Sequence, residues 1–323
     1  MAVTLREYAA WLDERKLLWP AAPEPQPAKA TPYSAPLKGI RAVTWSIYGT
    51  LVHIADGELR LEVEPEIRMQ VALEKTIQEF NMWNSMTRRP GQPWEYMLPK
   101  YKDAIADLKL ASTRHKGDVP EVDSADIWRK LLGLLEQKNY RYDEEFYGDF
   151  DELSEKVAFY FHRCLQGVGP APGARDVLLD IAAGGLKQGL LADAQPFTVA
   201  QMLRVLEQQG TLPPLTQLFT PGCAALSFQE GVRKPSETLF ERCLEQFREC
   251  DVEPEQILHV GSRLADDLGI AKKLGFRTAL YAGDKHSLRA TSAEVKDATL
   301  KPDRLITDLA QLRNVLDIGP RDQ

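Results

Sequence analysis

Several features that mark other classes of protein are missing from this 323-residue sequence. Its four cysteines include no C-x-x-C pair, so neither a thiol-disulfide motif nor a zinc knuckle is present, and a cytoplasmic location is expected. There is no run of about 18 apolar residues and no basic segment followed by an apolar one at the start, so we expect no membrane association and no secretion. Clustered basic residues are also scarce, and the formal net charge of -7 argues against nucleic acid as a partner.

The composition that remains is that of an ordinary globular protein, with 44% hydrophobic and 27% charged residues and length for about two domains. A short N-terminal helix is predicted by the capping-box pair Thr4 and Glu7. Six prolines between residues 20 and 36 then favour an extended strap, which completes an N-terminal segment of residues 1–37. We expect the strap to lie on the protein's own surface with the helix as its anchor. The alternative is a docking segment for a protein partner.

The rest of the chain divides into two patterns. A buried strand is predicted near residues 40–45, and residues 58–167 carry apolar stripes at helical spacing, which predict an inserted all-helical domain. From residue 167 onward amphipathic helices alternate with short apolar strands, as in a doubly wound parallel sheet. The expected fold is therefore α/β, with a core formed by residues 38–57 and 168–323.

Four short motifs occupy the ends of the predicted strands, where open α/β sheets place their chemistry. They fall at residues 46–51 (Ser-Ile-Tyr-Gly-Thr-Leu), 191–193 (Leu-Ala-Asp), 231–235 (Gly-Val-Arg-Lys-Pro) and 260–267 (Val-Gly-Ser-Arg-Leu-Ala-Asp-Asp). In this order and on these elements, they resemble the motifs of the haloacid dehalogenase (HAD) superfamily. The resemblance covers nearly everything from residue 40 onward. It implies a Rossmann-like core, a helical cap formed by the inserted domain, and hydrolase chemistry.

The first motif departs from the family in its two chemical positions. The resemblance assigns Ser46 to the place of the aspartate nucleophile, and a serine hydroxyl attacks poorly unless a base removes its proton. It assigns Tyr48 to the place of the general acid, although the dehalogenase branch also has tyrosine there. With an ordinary pKa of about 10, tyrosine is a weak acid at neutral pH. Gly49 permits a tight turn, and we expect Thr50 to tie the loop by side-chain hydrogen bonds.

The remaining motifs imply a substrate site and, by resemblance, a Mg²⁺ site. The substrate-binding positions fall on Thr50, Ala192, Asp193 and Arg263, and Ala192, which Asp193 follows, stands where the family has a hydroxyl. A carboxylate such as Asp193 repels an anionic substrate. Asp267, with Asp266 beside it, is the remaining acidic pair for a metal, so the family's Mg²⁺ is possible but has few ligands here.

Lys234 occupies the position at which the family has a lysine, which lies between the nucleophile and the fourth motif. Because a buried ammonium needs a counter-charge, we expect it to pair with Asp267. This pair is either the remnant of an anion or metal site or, as we favour, a structural salt bridge between two loops. No His-x-x-x-His pair is present, so structural or surface roles are expected for all five histidines, which are His53, His115, His162, His259 and His286.

Three functional hypotheses follow. The first is a degenerate member that keeps the fold, has lost the aspartyl chemistry through the changes at Ser46, Ala192 and Ser262, and binds a small-molecule anion or a protein partner. The second is a working phosphatase or 2-haloacid dehalogenase, in which serine at position 46 is an engineered substitution or another group acts as nucleophile. The third is a scaffold that recruits a protein partner through residues 1–37.

Overall fold

The computed structural model describes residues 2–86, 90–111 and 118–319, so His115 lies outside the described residues. Its centre is a six-stranded sheet in the order β10-β9-β8-β1-β5-β6, and every neighbouring pair in it is parallel. The strands are β1 (Ala42–Trp45), β2 (Val52–Ile54), β3 (Val119–Pro120), β4 (Val168–Pro170), β5 (Lys187–Ala192), β6 (Ala224–Leu226), β7 (Val232–Arg233), β8 (Ile257–Gly261), β9 (Arg277–Tyr281) and β10 (Arg304–Ile306).

Strand β1 occupies the middle of this sheet, between β5 and β8, although some 140 residues separate it from β5. All four of its residues are buried, as is typical of a parallel strand covered by helices on both faces. A polar side-chain group of this strand bonds to its neighbour. The indole Nε1 of Trp45 donates to Oε1 of Gln188 on β5 at 3.1 Å. The predicted doubly wound α/β core is confirmed.

Helices surround the sheet, and the helices that lie between β2 and β4 in sequence form a separate layer. The α-helices of the described residues are α1 (Leu5–Glu14), α2 (Glu66–Glu79), α3 (Pro93–Ala111), α4 (Ser124–Glu136), α5 (Glu144–Tyr147), α6 (Phe150–Leu165), α7 (Ala174–Ala183), α8 (Thr198–Glu207), α9 (Leu215–Leu218), α10 (Ser227–Glu230), α11 (Glu237–Arg248), α12 (Gly269–Lys273) and α13 (Leu312–Leu316). In that part of the chain, no helix is long and apolar enough to cross a membrane.

Helices α2 to α6 form the inserted helical cap and pack around one apolar cluster that contains Trp128, Phe161 and the other residues of the predicted stripes. The cap also contains the short strand β3, which pairs antiparallel with β7 of the core. Next to β3, the buried carboxylate of Glu121 accepts a hydrogen bond from Oγ of Ser227 at 2.6 Å. Cap and core are therefore joined by a ladder and by a buried polar contact.

The N-terminal segment contacts both the cap and the core. Helix α1 begins with the predicted capping box of Thr4 and Glu7, and its buried residues Tyr8 and Leu12 belong to the apolar cluster of the cap. The following strap lies along the core, where the backbone N–H of Gln26 donates to Asp284 at 3.0 Å and Tyr33 bridges to Leu305 of β10. The strap therefore follows the protein's own surface, as expected, while a protein partner for it stays a prediction.

Candidate functional site

The four sequence motifs meet at the carboxyl edge of the central sheet. Ser46 directly follows β1, Asp193 follows β5, and Lys234 follows the short strand β7. Asp267 lies in a single π-helical turn, Leu264–Leu268, which follows β8. Because β5, β1 and β8 are adjacent and parallel, their ends bring these side chains together.

The side chains of Ser46, Lys234 and Asp267 form a closed hydrogen-bonded triangle. The Oγ of Ser46 donates to Oδ2 of Asp267 at 2.7 Å and accepts from Nζ of Lys234 at 2.8 Å. Nζ of Lys234 also lies 2.5 Å from Oδ1 of Asp267, and both charged side chains are only 1% exposed. The expected pairing of Lys234 with Asp267 is thus confirmed, and Ser46 is part of the same buried group.

His259 completes this group, and sequence reasoning missed it. Its Nε2 lies 2.8 Å from Oδ1 of Asp267, and its Nδ1 lies 2.9 Å from Oγ1 of Thr44, the residue opposite it on β1. Since an ionised carboxylate only accepts, Nε2 carries the proton and Nδ1 accepts from the threonine hydroxyl. Burial lowers the pKa of His259, which keeps the ring neutral.

The charges of the cluster favour an ionised Asp267. Burial alone would raise the pKa of this carboxyl, but the neighbouring Lys234, then His259 and Arg263, lower it well below its ordinary value. Gly261 makes the close approach possible, because a Cβ atom at this position would lie 2.5 Å from Oδ2 of Asp267. The absence of a side chain at Gly261 therefore lets the carboxylate reach Ser46 behind the sheet edge.

A second ionic group surrounds Asp193. Its carboxylate accepts from Nη2 of Arg263 at 2.7 Å and from the backbone N–H of Lys234 at 2.8 Å, and Arg233 lies 3.6 Å away. Burial would raise its pKa, but these cations, led by Arg263, lower it. The charge of Asp193 is therefore compensated within the protein by Arg263 and Arg233, cations that the expected repulsion of an anionic substrate leaves out.

Tyr48 is directed away from the Ser46 group toward α8. Its hydroxyl donates to Oε1 of Gln201 at 2.6 Å and lies 3.2 Å from Oγ1 of Thr198. Burial raises the pKa of Tyr48 well above its ordinary value. A phenol that already donates to an amide and resists ionisation is a poor proton donor to a leaving group.

Above Ser46 lies a small pocket with room of about 30 Å³, enough for one or two water molecules. Thr50 and Ala192, predicted to bind substrate, are buried and are not among its lining residues. Oγ1 of Thr50 has no hydrogen-bond partner among the described residues, so the expectation that it ties the loop is wrong. Asp266 is also outside the pocket and faces Arg263 at 3.6 Å. The lining consists of Ser46, Ile47, Tyr48, Gly57, Glu58, Leu59, Asp193, Arg233, Lys234, Ser262, Arg263 and Asp267.

These residues do not fit a Mg²⁺ ion. A hard cation needs several free anionic oxygens, but Oδ1 of Asp267 faces Lys234 and His259, and Oδ2 accepts from Ser46. The ammonium of Lys234 itself lies against the carboxylate that a metal would require. Across the described ranges, no three histidine, cysteine, aspartate or glutamate side chains are grouped to hold a metal ion.

The parallel sheet, the inserted helical cap and the strand-end motifs together define a hydrolase fold of the HAD-like class. A family model described as HAD-hydrolase-like matches residues 231–312. A glyceraldehyde 3-phosphate phosphatase of Pyrococcus furiosus is 32% identical over 236 residues, which cover 67% of this chain and 90% of that protein. The chain therefore belongs to the HAD superfamily, as the sequence motifs predicted.

Two further comparisons agree with this assignment. A glyceraldehyde 3-phosphate phosphatase of Pyrococcus abyssi is 31% identical over 173 residues, which are 50% of this chain and 66% of that protein. The crystal structure of a 2-haloacid dehalogenase from Pseudomonas syringae superposes with a TM-score of 0.53 at 21% identity, over 86% of this chain and 98% of that one. The latter likeness supports the fold, including the helical cap.

Proposed function

We propose that this chain is a HAD-fold protein that has lost the aspartyl-intermediate chemistry of its superfamily and binds a ligand in place of converting it. The observation that carries the proposal is the bonding of Ser46, whose hydroxyl donates to Asp267 and accepts from Lys234. A nucleophilic serine needs a base that removes its proton. Here the hydroxyl proton of Ser46 is directed at Asp267, whose lowered pKa makes it a weak base, and the ammonium of Lys234 binds one of the two lone pairs of the hydroxyl oxygen and lowers its electron density.

The general-acid position supports the same proposal. In a phosphatase the second position of the first motif protonates the leaving group, as the resemblance implies. Tyr48 instead donates to Gln201 and is held neutral by burial. Loss of nucleophile, acid and metal ligands at once is more consistent with a changed role than with one impaired step.

The retained role that the pocket favours is binding of a small anion, such as a phosphate or carboxylate group. Lys234, Arg233 and Arg263 supply three cations at its wall, and Arg233 is the most exposed of them. Their charges are balanced by Asp193, Asp267 and Glu58, and the pocket holds only one or two water molecules as it stands, so an anion enters only if Glu58 moves away from Arg263, from which it lies 3.9 Å.

A working phosphatase is the second candidate, favoured by the 32% identity to a protein named glyceraldehyde 3-phosphate phosphatase. In that case a group other than an aspartate at position 46 would act on the phosphate, and Mg²⁺ would be required as in the phosphatases that the family resemblance implies. A cytoplasmic location, inferred from the cysteine pattern, is part of both proposals.

The test measures hydrolysis of glyceraldehyde 3-phosphate, a generic phosphomonoester and a 2-haloacid, each with and without Mg²⁺. We expect no turnover by the natural sequence, whereas rates of about 1 to 1000 per second would overturn the proposal. The variant Ser46→Asp is tested beside it. If Ser46→Asp gains Mg²⁺-dependent turnover, the pocket has lost only its nucleophile. If Ser46→Asp remains inactive, the residues around position 46 have changed as well.

A further inference from the structure

A second cleft lies on the other side of Tyr48, where α1, α6 and α8 meet. It has room of about 250 Å³ and shares no lining residue with the pocket above Ser46. Its walls come from the N-terminal segment, the cap and the core. Trp19 and Pro20 form one wall, and Phe159 of the cap forms another.

Two partly buried arginines line this cleft. Arg163 lies on α6 of the cap and Arg204 on α8 of the core, and their side chains are 19% and 17% exposed. Both pair with a single carboxylate, that of Asp13 on α1. Two positive charges and one negative charge leave the cleft with an excess of one positive charge.

The cleft also holds unused hydrogen-bond donors. Each guanidinium has five N–H donors, and within the described residues the hydrogen bonds and ion pairs of Arg163 and Arg204 are those to Asp13. Gln201, only 4% exposed, also lines the cleft, and because its Oε1 accepts from Tyr48, the donors of its amide N–H₂ group are not used in that bond. The ring of Trp19 supports the guanidinium of Arg163, which lies 4.2 Å from the ring centroid.

The cleft touches both the connection to the cap and the first motif. The strap lies directly on the returning connection, since a Cβ atom at Gly167 would be 1.9 Å from the carbonyl oxygen of Ala21. Gln201 joins the cleft to Tyr48 of the first motif through a hydrogen bond of 2.6 Å. An occupant of the cleft would therefore contact the N-terminal segment, the cap and the core simultaneously.

We propose that this cleft is a second binding site, for a small molecule that carries a phosphate or carboxylate group. Arg163 and Arg204 bind the anionic group by charge-assisted hydrogen bonds, and Gln201 adds a neutral donor. Asp13 is an internal competitor for the same two arginines. The site is separate from the anion pocket above Ser46, and its proposal goes beyond the function proposed for that pocket.

Isothermal titration of the full chain with inorganic phosphate, and separately with acetate, tests the site and distinguishes the two anionic groups. We expect saturable binding of one of them, weakened about tenfold or more by Arg204→Gln, because a charge-assisted hydrogen bond is lost. Arg242→Gln, at an exposed arginine on α11, is the matched control and should bind as the natural sequence does. No saturable binding of either anion overturns the proposal.

Two more variants separate this site from the pocket above Ser46 and from simple misfolding. Asp13→Asn removes the internal competitor and should strengthen anion binding several-fold, a gain that a poorly folded variant would not give. If instead binding is lost in Arg233→Gln and unchanged in Arg204→Gln, the anion occupies the Ser46 pocket. That result overturns the second site and leaves the proposed function in place.

Discussion

The variant Asp267→Asn tests whether the buried triangle stabilises the protein. Asp267 and Lys234 are each 1% exposed, so the variant leaves an ammonium buried without its counter-charge. Breaking a buried ion pair by removing one partner costs about 3–5 kcal/mol. Folded domains are stable by only about 5–15 kcal/mol. We therefore expect a large fall in the urea concentration at the midpoint of unfolding at neutral pH, measured by tryptophan fluorescence.

The neighbouring Asp266→Asn is the matched control, since it makes the same chemical change one residue away at a side chain that is 43% exposed. An exposed ion pair is worth about 0–1 kcal/mol, so this variant should unfold close to the natural sequence. The double variant Asp267→Asn with Lys234→Met should recover part of the loss, because the stranded charge is gone and a methionine can pack against Phe240. Equal losses of stability in the two single variants would mean that Asp267 is not the buried counter-charge of Lys234.

Two further perturbations test the cap and its attachment. Burial raises the pKa of Glu121 from 4.5 to about 7, so its contribution to stability is complete below about pH 4.5 and lost as the pH rises through 7, and Glu121→Gln should flatten this pH dependence in thermal unfolding. An unchanged pH profile would contradict burial of this carboxyl. Leu12→Ala should destabilise the protein by about 2–5 kcal/mol, whereas Leu18→Ala, at a side chain 85% exposed, should change the free energy of unfolding by less than about 0.5 kcal/mol. Equal effects would mean that α1 does not belong to the cap's core.

Much of the fold could be predicted because its elements carry local signals. The core strands are short apolar runs between amphipathic helices, and β1 and β8 lie where those runs predict them. The strand β3 could not be predicted, since two residues have no periodicity and their partner, β7, is more than 100 residues away in sequence. The seven-residue spacing of Cys243 and Cys250 is typical of one helix face, but α11 ends at Arg248, so Cys250 lies beyond it with its Sγ 3.9 Å from that of Cys223.

The site was predictable where a motif fixed the residue and not where only the fold brings residues together. Ser46 and Asp267 follow predicted strands and Lys234 stands in a motif of its own, and the need of a buried ammonium for a counter-charge predicted the pairing of Lys234 with Asp267. In the sequence, His259 is a single polar residue within an apolar strand, which does not indicate its contacts. Only the parallel register that sets it opposite Thr44 reveals its role, and no spacing along the chain encodes that register.

We propose that Ser46 is a structural member of the buried cluster rather than a nucleophile. The most direct measurement is steady-state release of phosphate from glyceraldehyde 3-phosphate in the presence of Mg²⁺, by the natural sequence and by Ser46→Ala. We expect that neither protein releases phosphate above the rate in buffer. Turnover of about 1 per second or faster by the natural sequence, abolished in Ser46→Ala, would contradict the proposal.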